Sequence, residues 1–146
     1  MKIIRLKKAD KQSLKQLNGL FTQLSPDKSP MSFSYFKKLI ANRDVFLAVV
    51  LDGKTIVGMG TLITAMSVAN KFGLIEDVIV NEKFQGKGLG KSLMQYLINE
   101  GSKQKLAKLK LTSKKERIVA NILYKKLGFV LKETNVYRMK LEKRPL

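Results

Sequence analysis

Apolar and polar residues alternate from Lys2 to Leu6, which predicts a short first strand. From Asp10 the period lengthens. Leu14, Leu17, Leu20, Phe21 and Leu24 recur at helical spacing, and Asp10 stands where an N-cap belongs. Ser25-Pro26-Asp27 ends that helix, because proline cannot continue it and Asp favours a turn. Ser32 is placed to cap a second, shorter helix with Phe36, Leu39 and Ile40 inward.

The middle of the chain reads as strands. Val45 to Leu51 is one, Asp52-Gly53 is a hairpin turn, and Lys54 to Ala65 returns. Gly58 and Gly60 inside the returning strand predict a bulge or a close backbone approach. After polar residues 67–71, Phe72 to Val80 reads as a buried central strand. Gly86-Lys87-Gly88-Leu89-Gly90 opens a helix to about Gln104, with Leu89, Leu93, Met94, Leu97 and Ile98 inward. Leu106 to Thr112 reads as a strand and Arg117 to Leu127 as a helix, with Ile118, Ile122 and Leu123 inward and Gly128 as its left-handed cap. Phe129 to Lys132 and Asn135 to Leu141 predict a final hairpin. The order β-α-α-β-β-β-α-β-α-β-β describes one mixed α+β domain with helices covering a sheet.

Composition narrows the chemistry. The 146 residues include no cysteine and no histidine. Disulfides, thiolate metal sites, a cysteine nucleophile, a Ser-His-Asp triad and imidazole metal ligands are excluded. Chemistry must run on carboxylates, tyrosine, lysine, hydroxyls or the backbone, and no metal site is expected. The formal net charge is +18, with 29 Lys+Arg against 11 Asp+Glu. The excess is spread: residues 1–70 carry 11 basic and 4 acidic residues, residues 71–146 carry 18 and 7. Such a field attracts anions, although lysine also simply solvates helix faces. No polybasic tail or RNA-binding motif points to nucleic acid, which is not expected as a partner. No apolar run approaches the ~20 residues that span a bilayer. Nor do residues 1–7 form an apolar signal core. A cytoplasmic protein with no membrane partner is expected.

The strongest local signal is the run from Val78 through Lys91. A buried strand ends, and a glycine-rich turn feeds a helix. The first N–H groups of that helix lack intrahelical partners and sit at the positive end of its dipole. Glycine lets a phosphate approach the backbone without meeting a Cβ. The segment reads as a diphosphate cradle with Lys87 and Lys91 at its rim. It is neither a Walker loop nor the Gly-x-Gly-x-x-Gly of a dinucleotide fold.

Gln85-Gly86-Lys87-Gly88-Leu89-Gly90 resembles the Gln/Arg-x-x-Gly-x-Gly/Ala motif of the GCN5-related N-acetyltransferase (GNAT) superfamily. Ala120-Asn121-Ile122-Leu123-Tyr124-Lys125-Lys126-Leu127-Gly128-Phe129 resembles the same family's downstream helix and strand, at the expected separation. The resemblance covers nearly the whole chain and implies a single N-acetyltransferase domain over residues 1–146. It implies a central pair of splayed parallel strands, here Phe72–Val80 and Leu106–Thr112, with acetyl-CoA between them. The pyrophosphate would lie on the amides of Gln85, Gly86, Lys87, Gly88, Leu89, Gly90 and Lys91. The backbone of Val78, Ile79 and Val80 would hold the pantetheine and orient the acetyl group, and Asn121 would contact the CoA arm.

Tyr124 matches the family's acid that protonates the departing CoA thiolate, in a direct attack through a tetrahedral intermediate. By itself it would read as a core aromatic. With no histidine present, the base that takes the amine's proton is expected to be a carboxylate. Ile75-Glu76-Asp77-Val78 resembles the strand of small acetyltransferases, including glucosamine-phosphate acetyltransferases, where the glutamate lies by the reaction centre. Glu76 is the first choice and Asp77 the second, with a structural acceptor or an ordered water left open. Strict alternation would put the two on opposite faces.

The acceptor site would include Phe33, Tyr35, Phe36, Met66 and the turn at Glu133-Thr134-Asn135, none with a substrate fingerprint. The charge argues against polycations and favours a neutral or anionic small amine. A peptide acceptor, or a CoA-binding or nucleic-acid-associated module without turnover, are the alternatives. Homodimerisation through the C-terminal strands is a family habit that this sequence does not itself reveal.

Overall fold

The hairpin around Asp52-Gly53 forms the middle of a five-stranded sheet. The structure, a computed structural model, describes residues 1–142. Its elements are β1 (Lys2–Arg5), α1 (Lys11–Leu24), α2 (Phe33–Ala41), β2 (Val45–Asp52), β3 (Thr55–Met66), β4 (Lys71–Val80), a 3₁₀ turn (Glu82–Phe84), α3 (Leu89–Lys103), β5 (Leu109–Lys110) and α4 (Ile118–Lys126). The strands lie in chain order, β1-β2-β3-β4-β5. The first three pairings are antiparallel and β4 pairs β5 in parallel through the α3 crossover. No helix among the described residues is long and apolar enough to cross a membrane.

The chain forms two compact units, Met1–Thr112 and Ser113–Leu146. In the first, the sheet has helices on both faces. Leu17 and Leu20 of α1 and Phe36 of α2 pack with Leu47, Val49, Ile56, Met59 and Ile79 of the sheet. Leu93, Met94 and Leu97 of α3 are fully buried. Gly60 lets α3 settle on its face: a Cβ there would stand 2.9 Å from Leu97 Cδ1. The expected caps hold, because Ser13 N donates to Asp10 Oδ1 at 2.8 Å and Tyr35 N donates to Ser32 Oγ at 3.1 Å.

In the second unit, α4 ends in a Schellman motif. Phe129 N donates to Tyr124 O at 3.0 Å and Gly128 N to Lys125 O at 3.1 Å, with Gly128 at φ +102°. The Phe129 ring stands edge-on to Tyr124, centroids 6.1 Å apart, which is the apolar contact such a motif favours.

Three expectations change. The strand expected over 106–112 shortens to Leu109–Lys110, because only those residues meet β4 in register. The helix residues expected inward, Ile118 and Ile122, are exposed, and Tyr124 is the buried member of α4. The final hairpin is absent: residues 129–142 carry no strand, and Val130, Leu131, Val136, Tyr137, Met139 and Leu141 are exposed. Alternation supplies one apolar face but not the ladder a strand needs, and two strands alone are marginal in water.

Candidate active site

The register along β4 changes at one point. Thr61 faces Glu76, whereas Met59 faces Ile79, so Asp77 and Val78 together oppose Gly60. This is a β-bulge with one extra residue in β4. Asp77 takes it up in the left-handed region, φ +53°.

The bulge exchanges the residues that look toward β5. Before it, Gly73 N donates to Lys108 O at 2.9 Å, away from β3. After it, Asn81 N donates to Val57 O at 2.8 Å, toward β3. In an unbroken strand these two odd-numbered residues would look the same way. The polar backbone groups of Val78 and Val80 therefore face the β5 side, and those of Ile79 face β3. The last β4–β5 rung is Leu74–Lys110, so among the described residues this side of β4 has no strand partner beyond it. The expectation for Ile79 is corrected accordingly: its backbone pairs with β3 and its side chain lies in the core.

The glycine turn follows directly. Gln85 Nε2 donates to Val80 O at 2.9 Å, and Gln23 Oε1 accepts from Glu82 N at 3.2 Å. These bonds tie the turn to β4 and to α1. Gly86 and Gly88 lie at φ +79° and +80°, with no atom within 4 Å of where a Cβ would stand. Gly88 caps α3 without a side-chain hydrogen bond, so the first amides of the helix open onto this free space. The Lys87 ammonium lies 5.3 Å from the centre of the Phe84 ring. Lys91 is exposed on the first turn of α3.

Both carboxylates are exposed, and Asp77 is itself the left-handed bulge residue, so strict alternation does not set its face relative to Glu76. Burial raises the Glu76 carboxyl above its ordinary range, Asp77 raises it further, and Lys28 opposes both. Burial likewise raises Asp77, again against Lys28. Sequence reasoning missed Lys28. It sits in the α1–α2 loop, which Asn18 clips by a pair of bonds to the backbone of Met31 at 3.0 and 2.9 Å. No spacing in the sequence announces that return.

In the second unit, Asn121 Nδ2 donates to Lys114 O and Arg117 O, each at 2.9 Å. The amide nitrogen fastens the loop before α4, and Oδ1 is what remains for a ligand. Tyr124 is 8% exposed, and burial raises its hydroxyl pKa against the lowering effect of Arg117. Of the expected acceptor residues, Phe36 is fully buried core and Phe33 packs against the same cluster. Tyr35 and Met66 are exposed. No group of three Asp, Glu, His or Cys among the described residues is arranged to hold a metal.

The profile of the Acetyltransferase (GNAT) family matches residues 12–129. Solved structures agree in fold. An aminoglycoside acetyltransferase from an uncultured soil metagenomic sample is 22% identical, with TM-score 0.85 over 97% of this chain and 96% of that one. Glucosamine-6-phosphate N-acetyltransferase from Arabidopsis thaliana is 23% identical, with TM-score 0.76 over 94% and 97%. AAC(6')-Iy, solved with the bisubstrate analogue CoA-S-monomethyl-acetylneamine, is 16% identical, with TM-score 0.78 over 96% and 97%. The chain belongs to the GNAT family of acetyltransferases. Acetyl-CoA is the acetyl donor of this family. The open edge of β4 and the free space over Gly86 and Gly88 fit an extended thiol arm ending in a diphosphate.

Proposed function

We propose that residues 1–146 act as one N-acetyltransferase domain that acetylates the primary amine of a small molecule. The bulge in β4 carries this reading, because it turns Val78 and Val80 toward an edge that β5 leaves open. Their backbone groups would hold the pantetheine arm. The amides from Gly86 to Lys91 would take the diphosphate, with Lys87 and Lys91 adding charge. Gln85 would set the turn through Val80, and Asn121 would meet the arm through Oδ1.

Acetyl-CoA supplies the acetyl thioester. Glu76 takes the proton that the attacking amine loses, and its raised pKa makes it a stronger base than an ordinary carboxylate. Asp77 keeps Glu76 company as a second carboxylate. Tyr124, in the family's downstream motif, gives the proton that the departing sulfur needs. The C–N bond forms, the C–S bond breaks, and amide and free thiol leave.

Isothermal titration with acetyl-CoA tests the cofactor site, using wild type and Gly88→Trp. The indole would enter open space, not the core. Micromolar binding by wild type and none by a folded variant is the expected result. Equal binding by both would move the diphosphate elsewhere.

A further inference from the structure

The face of the sheet that carries Glu76 also carries an organised pair of cations. Phe72, Leu74 and Glu76 alternate on β4 ahead of the bulge, opposite Ala65, Ile63 and Thr61, so they share one face. Gly73 looks to the other face, where a Cβ would meet Leu109 and Leu62. On β5, Lys110 pairs with Leu74 at the last rung. Its ammonium lies 4.7 Å from the centre of the Phe72 ring, and that of Lys108 lies 5.9 Å from it. Both lysines are exposed to solvent, and their ammoniums gather over one aromatic ring.

We propose that these lysines receive an anionic group on the acceptor, so that the substrate is a primary amine bearing a phosphate or carboxylate. The inference rests on the assignment of Glu76 to the amine. Geometry sets the length of the substrate. At about 3.3 Å per residue, Leu74 and its partner Lys110 stand roughly 7 Å along the strand from Glu76, and Phe72 roughly 13 Å. An anion two to four residues from the base, on the same face, selects a molecule whose amine and acid are separated by several bonds. A carboxylate at one end and ammoniums at the other orient such a molecule and penalise one with cations at both ends.

The test compares matched amines as acceptors at fixed ionic strength: glucosamine against glucosamine 6-phosphate, and cadaverine against lysine. The first pair probes phosphate and the second carboxylate. Release of free CoA thiol is followed for wild type, Lys108→Gln/Lys110→Gln, and the control Lys7→Gln/Lys8→Gln, which removes the same charge from exposed positions elsewhere. Wild type should favour at least one anionic amine in kcat/KM by about 10-fold, the scale of one charge-assisted hydrogen bond. The β5 variant should lose that preference, keep its turnover of the amines that lack the anionic group and bind acetyl-CoA as wild type does. The control should behave as wild type. A preference that survives in the β5 variant, or falls equally in the control, would assign it to the overall positive field and overturn the proposal. Equal use of both members of each pair would overturn it too, as would acetyl-CoA binding without turnover of any of the four. Loss of acetyl-CoA binding by wild type would instead remove the functional reading beneath it.

Discussion

The Gln85 side chain donates to the main-chain carbonyl of Val80 at 2.9 Å, so the residue that opens the glycine turn is fastened to the last residue of β4. The two halves of the proposed CoA site, strand edge and helix start, are thereby one piece. Gln85→Leu removes the donor and leaves Val80 O unpaired. Net loss of such a bond is worth about 1 kcal/mol. Acetyl-CoA affinity should fall about 5-fold by the same measure. Titration calorimetry reads the affinity, and unchanged binding would leave Gln85 a bystander.

Asp77 bears the strain of the bulge. A non-glycine residue at φ +53° is uncommon, and Asp tolerates it better than a branched side chain. Asp77→Gly should keep or raise the melting temperature, Asp77→Ala should lower it, and Asp77→Val should lower it most. The spread should be about 1–2 kcal/mol. If Asp77→Val melts with wild type, the left-handed conformation carries no cost at this site.

What the sequence made legible follows one physical rule: local requirements show, and long-range ones do not. Asp10 and Ser32 were readable as caps because a cap is settled within four residues. Gly86 and Gly88 were readable because left-handed backbone and an open approach both ask for glycine in place. The bulge was half-readable. Gly60 marked it on β3, but the residue that absorbs it, Asp77, is chosen by register between two strands. Lys28 was invisible, since its approach to Glu76 depends on a loop clipped by Asn18. Phe129 to Leu141 misled for the same reason, as their pattern describes a face and no local rule supplies a partner strand.

The cap on α1 gives a pH signature. Hydrogen bonds from Ser13 hold the Asp10 carboxyl below the ordinary value of an aspartate. Its contribution to stability is therefore present above the unfolded pKa and lost as pH falls through the lower folded value. Asp10→Ala should cost about 1 kcal/mol at neutral pH, or roughly 2–4 °C in melting temperature. The difference from wild type should shrink below pH 3.8. A penalty that persists unchanged into strong acid would show that the charge plays no part.

Glu76 runs the other way. Partial desolvation raises its folded pKa above the ordinary value of a glutamate, so its charged form destabilises the native state. Stability is greatest below that value and declines as pH rises through the folded pKa. Glu76→Gln should therefore melt at or above wild type near neutral pH, with the gain disappearing in acid, while turnover falls about 100-fold or more. Lys28 lowers the pKa of Glu76, so Lys28→Gln should move the acidic limb of the kcat/KM profile to higher pH. Full activity in Glu76→Gln would pass the base role to water or to Asp77.

Tyr124 separates structure from chemistry through one oxygen. Its ring is buried and meets Phe129 edge-on, and Tyr124→Phe keeps that packing. The melting temperature should move by no more than a few degrees, the scale of about 1 kcal/mol in a chain of this size. Turnover should fall about 100-fold or more if the hydroxyl protonates the departing thiolate. The group works only while protonated. Because burial raises its pKa, wild-type kcat should hold to a higher pH than an ordinary tyrosine would allow, then decline. The variant should lack that alkaline decline and retain wild-type affinity for acetyl-CoA. A variant that turns over at the wild-type rate, with its alkaline limb intact, would return Tyr124 to the role of an aromatic that closes the end of α4.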